Sequence, residues 1–364
     1  MYRGCATGKA ISIGHKNSWQ VRKLMVITCM LLAVGLLAFR TEKLQFAVPK
    51  GWPKPVYDFS KNPLTQNKIE LGRMLFYDPV LSRDSTISCA SCHSQYNAFT
   101  HVDHDLSHGI DNRIGTRNSP ALMNLAWSKT FMWDGAVNHL DVQALAPITN
   151  PLEMDEKLPD VIRKLQRSKR YPVLFYKAFG DSVVTGQKLL LSLSQFMLTL
   201  VSNNARYDSV MRGTATFTEH EQKGYTLYKT HCSSCHTEPL FTSNSYENNG
   251  LYVDNTLNDK GRMAISKQAA DSLKFKVPTL RNLKYTYPYM HDGRFKNLGQ
   301  VLNHYVMGIQ HTSSLSPQLQ RGIYLTNDDK FYLIAFLMTL NDKHYVSNPA
   351  FSYPKNNFET SEGL

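Results

Sequence analysis

An all-α protein built from two related halves is the fold class that the sequence predicts, and three observations predict it. Apolar residues recur at helical spacing in the longest patterned stretches, residues 187–202 and 331–340. Few stretches alternate apolar and polar residues as a half-buried strand would. Residues 120–143, PALMNLAWSKTFMWDGAVNHLDVQ, align without gaps to residues 278–301, PTLRNLKYTYPYMHDGRFKNLGQV, at a constant offset of 158, with eight of 24 positions identical. A chain of 364 residues has room for two domains, each with its own core.

Taken in order, the elements begin with a sixteen-residue apolar run at 24–39 behind Arg22 and Lys23, the length of a signal h-region and short for a membrane span. No small-x-small cleavage site follows it. Residues 1–43 are therefore expected as a signal peptide or an uncleaved N-terminal anchor, with Met25 a candidate natural start. Residues 63–76 read as a helix entered at Pro63 behind Asn62, with Leu64, Lys68, Leu71 and Leu75 on one face. Residues 202–217 read as the connection between halves. Leu298, Val301, Leu302 and Tyr305 fall on one helical face, and Thr326 with Asp329 forms a capping box before the last helix. The expected division is 44–205, 206–345 and a tail at 346–364.

The formal charge of +12 is misleading, because residues 1–43 hold seven of the 41 Lys/Arg and one of the 29 Asp/Glu, leaving +6 for the rest. That remainder has no basic runs of the kind a phosphate backbone requires, which excludes nucleic-acid binding. Cys5 and Cys29 lie in the targeting segment. The other four cysteines, Cys89, Cys92, Cys232 and Cys235, all sit in two copies of one pattern, CASCH and CSSCH. A redox disulfide or half a zinc site would use the same thiols, but neither CxxC stands in a βαβ setting, and the pairs are 143 residues apart where zinc ribbons keep theirs within about 20. The sharper reading is covalent attachment of two c-type haems, with His93 and His236 as axial ligands. Large cofactors at the centre of each half also account for the long loops.

Where the copies diverge, labour can divide. Trp133 is matched by His291, and Pro147 by Tyr305. A phenol can ligate iron and a proline cannot, so the first haem is expected to keep an open sixth position and the second a filled one. Met307 and His304 are rival ligands on other faces of the Tyr305 helix. Cleaving an O–O bond needs a carboxylate to shuttle the proton, and Glu153 is the candidate acid/base, with Gln143 as its hydrogen-bonding neighbour.

Together LGRMLFYDPVLSRDSTISCASCH, GTRNSPALMN, FMWDG, PLEM, CSSCH, FKVPTLRN, YPYMHDG and HYVMG resemble the bacterial di-haem cytochrome c peroxidase and MauG superfamily over about residues 64–345. The resemblance implies two all-α cytochrome c-like domains. Cys89, Cys92 and His93 hold a peroxidatic haem, and Cys232, Cys235 and His236 an electron-entry haem. By the same resemblance Glu153 is the catalytic glutamate, Gln143 a distal-pocket glutamine and Trp133 the tryptophan between the haems. A calcium ion at the junction would use Asn118, Thr286 and Pro288. Two departures stand out: the removable distal histidine of the family falls on Ile110, with His108 nearby, which resembles members active without prior reduction, and the usual methionine falls on Tyr305, as in MauG.

The leading expectation is a periplasmic peroxidase that reduces hydrogen peroxide with electrons from a small cytochrome c or cupredoxin. A homodimer is one assembly open to such a protein. MauG-like oxidation of residues on a partner protein is the alternative, and a di-haem electron carrier without chemistry of its own is the third reading.

Overall fold

The computed structural model describes residues 42–355 together with 22, 23, 25 and 26. Most of the expected targeting segment, and the end of the expected tail, lie outside the described residues. By its contacts the chain divides into residues 1–42 and residues 43–364, and the second unit holds both cores and the cavity between the motifs. Among the described residues no helix is long and apolar enough to cross a membrane.

Helices dominate, in the order α1 (Gln66–Tyr77), α2 (Cys89–Cys92), α3 (Leu140–Gln143), α4 (Leu145–Thr149), α5 (Leu158–Arg167), α6 (Tyr171–Phe179), α7 (Gly186–Thr199), α8 (Arg206–Met211), α9 (Glu219–His231), α10 (Met263–Ser266), α11 (Leu298–Asn303), α12 (Asn327–Met338) and α13 (Lys343–Ser347). The two strands described, β1 (Tyr246–Glu247) and β2 (Phe275–Lys276), pair antiparallel with Tyr246 opposite Lys276.

Helix α1 starts three residues later than its sequence pattern suggests. Thr65 caps it by accepting from Lys68 N–H, while Asn62 is buried and bonded to α7, its Oδ1 taking the Gln195 amide at 2.7 Å. A tertiary partner thus claims the side chain that would otherwise cap. At α12 the expected box is present, with Asp329 N–H donating to Thr326 Oγ1 at 3.1 Å and Thr326 N–H to Asp329 Oδ2 at 2.9 Å. The segment 202–217 is not merely a connection: α8 forms in it and buries Tyr207 and Asp208.

Two apolar cores result. One gathers α1, α5, α6 and α7 around Leu75, Phe99, Phe175 and Phe196; α13 and Phe351 return to it, Tyr345 donating to Leu122 O at 2.6 Å. The other joins α9, α11 and α12 around Tyr228, Phe241, Leu302 and Phe336. Each core has one close helix crossing at a glycine. A Cβ on Gly72 of α1 would stand 1.9 Å from Ser192 O of α7, and one on Gly224 of α9 would stand 1.9 Å from Tyr332 O of α12.

The backbone also turns alike at positions 158 apart. Isolated bridges join Phe131 to Val137 and Tyr289 to Phe295. Left-handed residues occur at Asn124 and Asn282, and at Met132 and Met290.

Candidate functional site

Helix α2 is a single turn, and that brevity is its use. Ser91 Oγ accepts from Ser88 N–H at 3.1 Å to start the turn, and His93 N–H closes it on Cys89 O at 2.9 Å. Both thiols and the imidazole of one CxxCH therefore come from about one helical turn. The second motif follows α9 in the same way, His236 N–H bonding Cys232 O at 2.9 Å. Burial pushes the Cys89 and Cys232 thiols up to about 12, so they are neutral. None of the four cysteines is in a disulfide, and among the described residues no three His, Cys, Asp or Glu side chains gather as a zinc site would require.

Each histidine is oriented by a carbonyl. His93 Nδ1 lies 2.9 Å from Phe99 O, and His236 Nδ1 lies 3.0 Å from Pro278 O and 3.2 Å from Phe241 O. A carbonyl only accepts, so Nδ1 carries the proton and Nε2 keeps its lone pair for a metal. Burial lowers both imidazoles to about 4, which holds them neutral and ligand-competent. The two phenylalanines adopt left-handed φ angles of 60° and 55°, a costly conformation for a bulky residue. Sequence reasoning missed these carbonyl acceptors. A signal existed: Phe-Thr follows each CxxCH, at Phe99-Thr100 and Phe241-Thr242.

One cavity of about 680 Å³ connects the motifs, bordered by Cys92 and His93 at one end and by Cys232, Cys235 and His236 at the other. Trp133 lines it, held by Nε1–H donation to Asn118 O at 2.8 Å and by its own carbonyl, which accepts from Lys276 N–H at 2.7 Å. His291, matched to Trp133 in the repeat, stacks on Phe275 with ring centres 3.6 Å apart.

Glu153 borders the cavity on the Cys89–Cys92 side and acts electrostatically on both thiols. Burial raises its carboxyl above the ordinary range, opposed by a hydrogen bond from Asn150 Nδ2 to Oε1 at 2.8 Å. The hydrogen-bonding neighbour is thus Asn150, not Gln143. The Gln143 amide, at the end of α3, is turned to Met132 Sδ at 3.7 Å, although the residue lines the same cavity. Pro147 lines it from α4. Ile110 is fully buried, and its N–H fastens to Glu153 O at 2.8 Å. His108 offers its carbonyl to Cys92 Sγ at 3.3 Å.

At the other end the helix α11 passes into one π-helical turn, His304–Gly308, which carries all three residues weighed as ligands. Tyr305 lines the cavity, and burial raises its phenol to about 12. Met307 is 75% exposed and does not line it. His304 is buried but bonded through Nε2 to Asn249 O at 3.0 Å. Asn118, Thr286 and Pro288 all border the same cavity, and Asn118 Nδ2 donates to Asp105 O at 2.9 Å, leaving Oδ1 as the donor atom to a cation.

The family described as di-haem cytochrome c peroxidase matches residues 66–216. The methylamine utilization protein MauG of Methylorubrum extorquens is 35% identical over 308 residues, which is 82% of this chain and 84% of that protein. The chain belongs to the di-haem cytochrome c peroxidase and MauG family. Membership implies two c-type haems, and the paired CxxCH turns with their free imidazole nitrogens fit such groups. Other family members include the cytochrome c551 peroxidase of Nitrosomonas europaea, 33% identical over 76% of this chain and 81% of its own. The solved structure of a MauG-like protein associated with microbial copper homeostasis superposes with a TM-score of 0.77 at 30% identity, over 86% of this chain and 99% of its own. The di-haem peroxidase BthA of Burkholderia thailandensis shares the fold, with a TM-score of 0.67 at 21% identity.

Proposed function

We propose that this family member is an exported, periplasmic peroxidase that takes electrons from a small cytochrome c or cupredoxin at its His236 end and reduces hydrogen peroxide to water at its His93 end. The observation that carries the reading is the buried Glu153 carboxyl on the His93 side of the shared cavity. Cys89 and Cys92 would hold one haem by thioethers and His93 Nε2 would ligate it; Cys232, Cys235 and His236 would do the same for the other. When bound, the haems supply electron storage and a metal face at which peroxide is polarised. Glu153 would take the proton from one oxygen of peroxide and return it to the other as the O–O bond breaks and that oxygen leaves as water. Two electrons from the donor with two protons from solvent would convert the remaining oxygen to the second water. Asn150 orients that carboxyl, and burial keeps competing water from it. Pro147, without a ligating atom, leaves the reacting face to the substrate. Trp133 is the aromatic bridge for electrons between the ends.

The paired left-handed turns and matched glycine crossings support reading the halves as copies of one haem-binding unit, 44–205 and 206–345. Asn118 Oδ1 with the Thr286 and Pro288 carbonyls would serve a calcium ion, a hard cation suited to neutral oxygens and water.

Tyr305 favours a second reading, MauG-like oxidation of residues on a partner protein, because it and not Met307 borders the cavity. Stopped-flow mixing of reduced protein with peroxide tests the first reading: both haems should oxidise rapidly, and turnover should vanish in Glu153→Gln. Failure to turn over with any small donor would defeat it. Tyr305→Met should change the optical spectrum and bring in a methionine–iron charge-transfer band; an unchanged spectrum would remove Tyr305 as a ligand and the second reading with it.

A further inference from the structure

Three Lys or Arg side chains border the cavity, and two of them are neutralised within the protein. Arg117 forks onto Asp259 at 2.6 and 2.9 Å and reaches Asp134 at 2.6 Å. Arg281 grips Asp208 with two bonds of 2.9 and 2.7 Å and donates the rest to Pro239 O. The third, Lys276, has no carboxylate within ion-pair distance among the described residues. Its Nζ donates to Thr130 O at 2.6 Å and lies 5.7 Å from the centre of the Phe131 ring. One carbonyl occupies one of three ammonium protons.

A buried ammonium facing an apolar ring is costly to keep charged unless an anion joins it. Here burial pulls Lys276 down to about 8, with no acidic neighbour to raise it again. The side chain is nonetheless held in place. Strand β2 pairs with β1, and Lys276 N–H is bonded to Trp133 O, so the backbone is fixed to Trp133 while the ammonium is held at Thr130 O and the Phe131 ring, and Trp133, Phe131 and Lys276 all border the cavity. Each c-type haem brings two propionate carboxylates, and these are the anions that the cofactors would carry into this space.

We infer that Lys276 is the counter-ion of a haem propionate and that its charge sets how readily that haem is reduced. The inference rests on the two-haem reading. Lys276 stands on a strand of the second half but bonds to Thr130 of the first, so a propionate of either haem satisfies the same chemistry. A cation beside the porphyrin edge favours the electron-richer ferrous state. Removing it moves that couple toward the oxidised form, while a guanidinium at the same place preserves it.

The test compares the holoprotein with Lys276→Met and Lys276→Arg by spectroelectrochemical titration, after a haem-stained denaturing gel and a thermal melt. Lys276→Met should keep two covalent haems and shift one couple about tenfold toward oxidised, about 59 mV for one electron. Lys276→Arg should titrate as the unsubstituted protein does. The couple that moves identifies which haem owns the propionate. Should Lys276→Met not fold, Lys276→Gln, which keeps a donor for Thr130, is read in the same way. Two unmoved couples in the neutral variant, or an equal shift in the arginine variant, overturns the assignment. An unsubstituted chain without haem stain instead defeats the two-haem reading itself.

Discussion

Alanine at Gly224 should destabilise the protein although alanine is the better helix former. In an open helix the change from glycine would stabilise by about 1 kcal/mol. Here the new Cβ would stand 1.9 Å from Tyr332 O and 2.8 Å from Phe336 Cβ, where ordinary contact begins at 3.4 Å. The carbonyl belongs to the α12 backbone and cannot rotate away, so α9 and α12 must part by roughly 1.5 Å along the crossing, well beyond the gap that already forfeits half of a van der Waals contact. Overpacking of this kind costs about 3 kcal/mol or more, which leaves at least about 2 kcal/mol of net loss after the propensity gain. Gly72→Ala meets the same geometry against Ser192 O and Phe196 Cβ and should behave alike. Gly299→Ala is the control, since its nearest foreign atom is a side-chain oxygen, Asn297 Oδ1, at 3.2 Å, and no backbone atom of another helix lies within 4 Å. Thermal melting of the haem-loaded proteins by circular dichroism is the assay. The two crossing variants should melt at least about 4 °C lower and the control close to the parent. A crossing variant that melts at or above the parent would refute the close approach.

Three further outcomes can be checked. Glu153→Gln should lower peroxide kcat/KM by about 10²- to 10⁴-fold, and the acid limb of the parent's pH profile should lie above the ordinary glutamate value of about 4.5, because burial raises the folded carboxyl. The same raised carboxyl binds its proton more tightly folded than unfolded, so it costs stability as pH rises through the folded value; denaturant titration should find the Gln variant more stable relative to the parent at pH 8 than at pH 4. Arg281→Met leaves Asp208 a buried carboxylate without its cation and should cost about 3 to 5 kcal/mol in urea unfolding, and an exposed ion pair such as Lys223–Glu219 should cost under about 1 when broken.

Much of this arrangement was legible in the residues because its signals are local. A CxxCH needs only one turn of chain, and the two aligned stretches hold unusual backbone at matching positions, such as Asn124 with Asn282 and the Asp-Gly pairs at 134–135 and 292–293. What escaped depended on side-chain partners and backbone geometry that the apolar pattern does not encode. Asn62 looked like a cap until Gln195, 133 residues on, took its side chain. Gln143 stood near Glu153 in the sequence, yet Met132 holds its amide and Asn150 serves the carboxyl. Helical spacing put Tyr305 on the apolar face and Met307 on another. Both lie in a π-helical turn, whose wider hydrogen-bond spacing no apolar pattern announces.

The middle of the cavity ties these observations together. Trp133 is fixed by Asn118 through its indole and by Lys276 through its carbonyl, and Asn118 N–H in turn bonds His291 O at 2.7 Å. Arg117 adds a second tie, since Asp134 lies next to the tryptophan and Asp259 lies in the second half. Both bonds that hold Trp133 thus run to residues that tie residues 44–205 to residues 206–345, Asn118 through His291 and Lys276 by its own place in β2. A change at one end must be felt at the ring. Trp133→Phe keeps an aromatic bridge but leaves Asn118 O without its donor, so both haems should attach and peroxide should still react at the His93 end. Electron delivery from the His236 end should slow, which double-mixing stopped-flow would read as oxidation of the two haems in separate phases. Simultaneous oxidation at the parent's rate would show that the ring is a structural wedge and that electrons take another path.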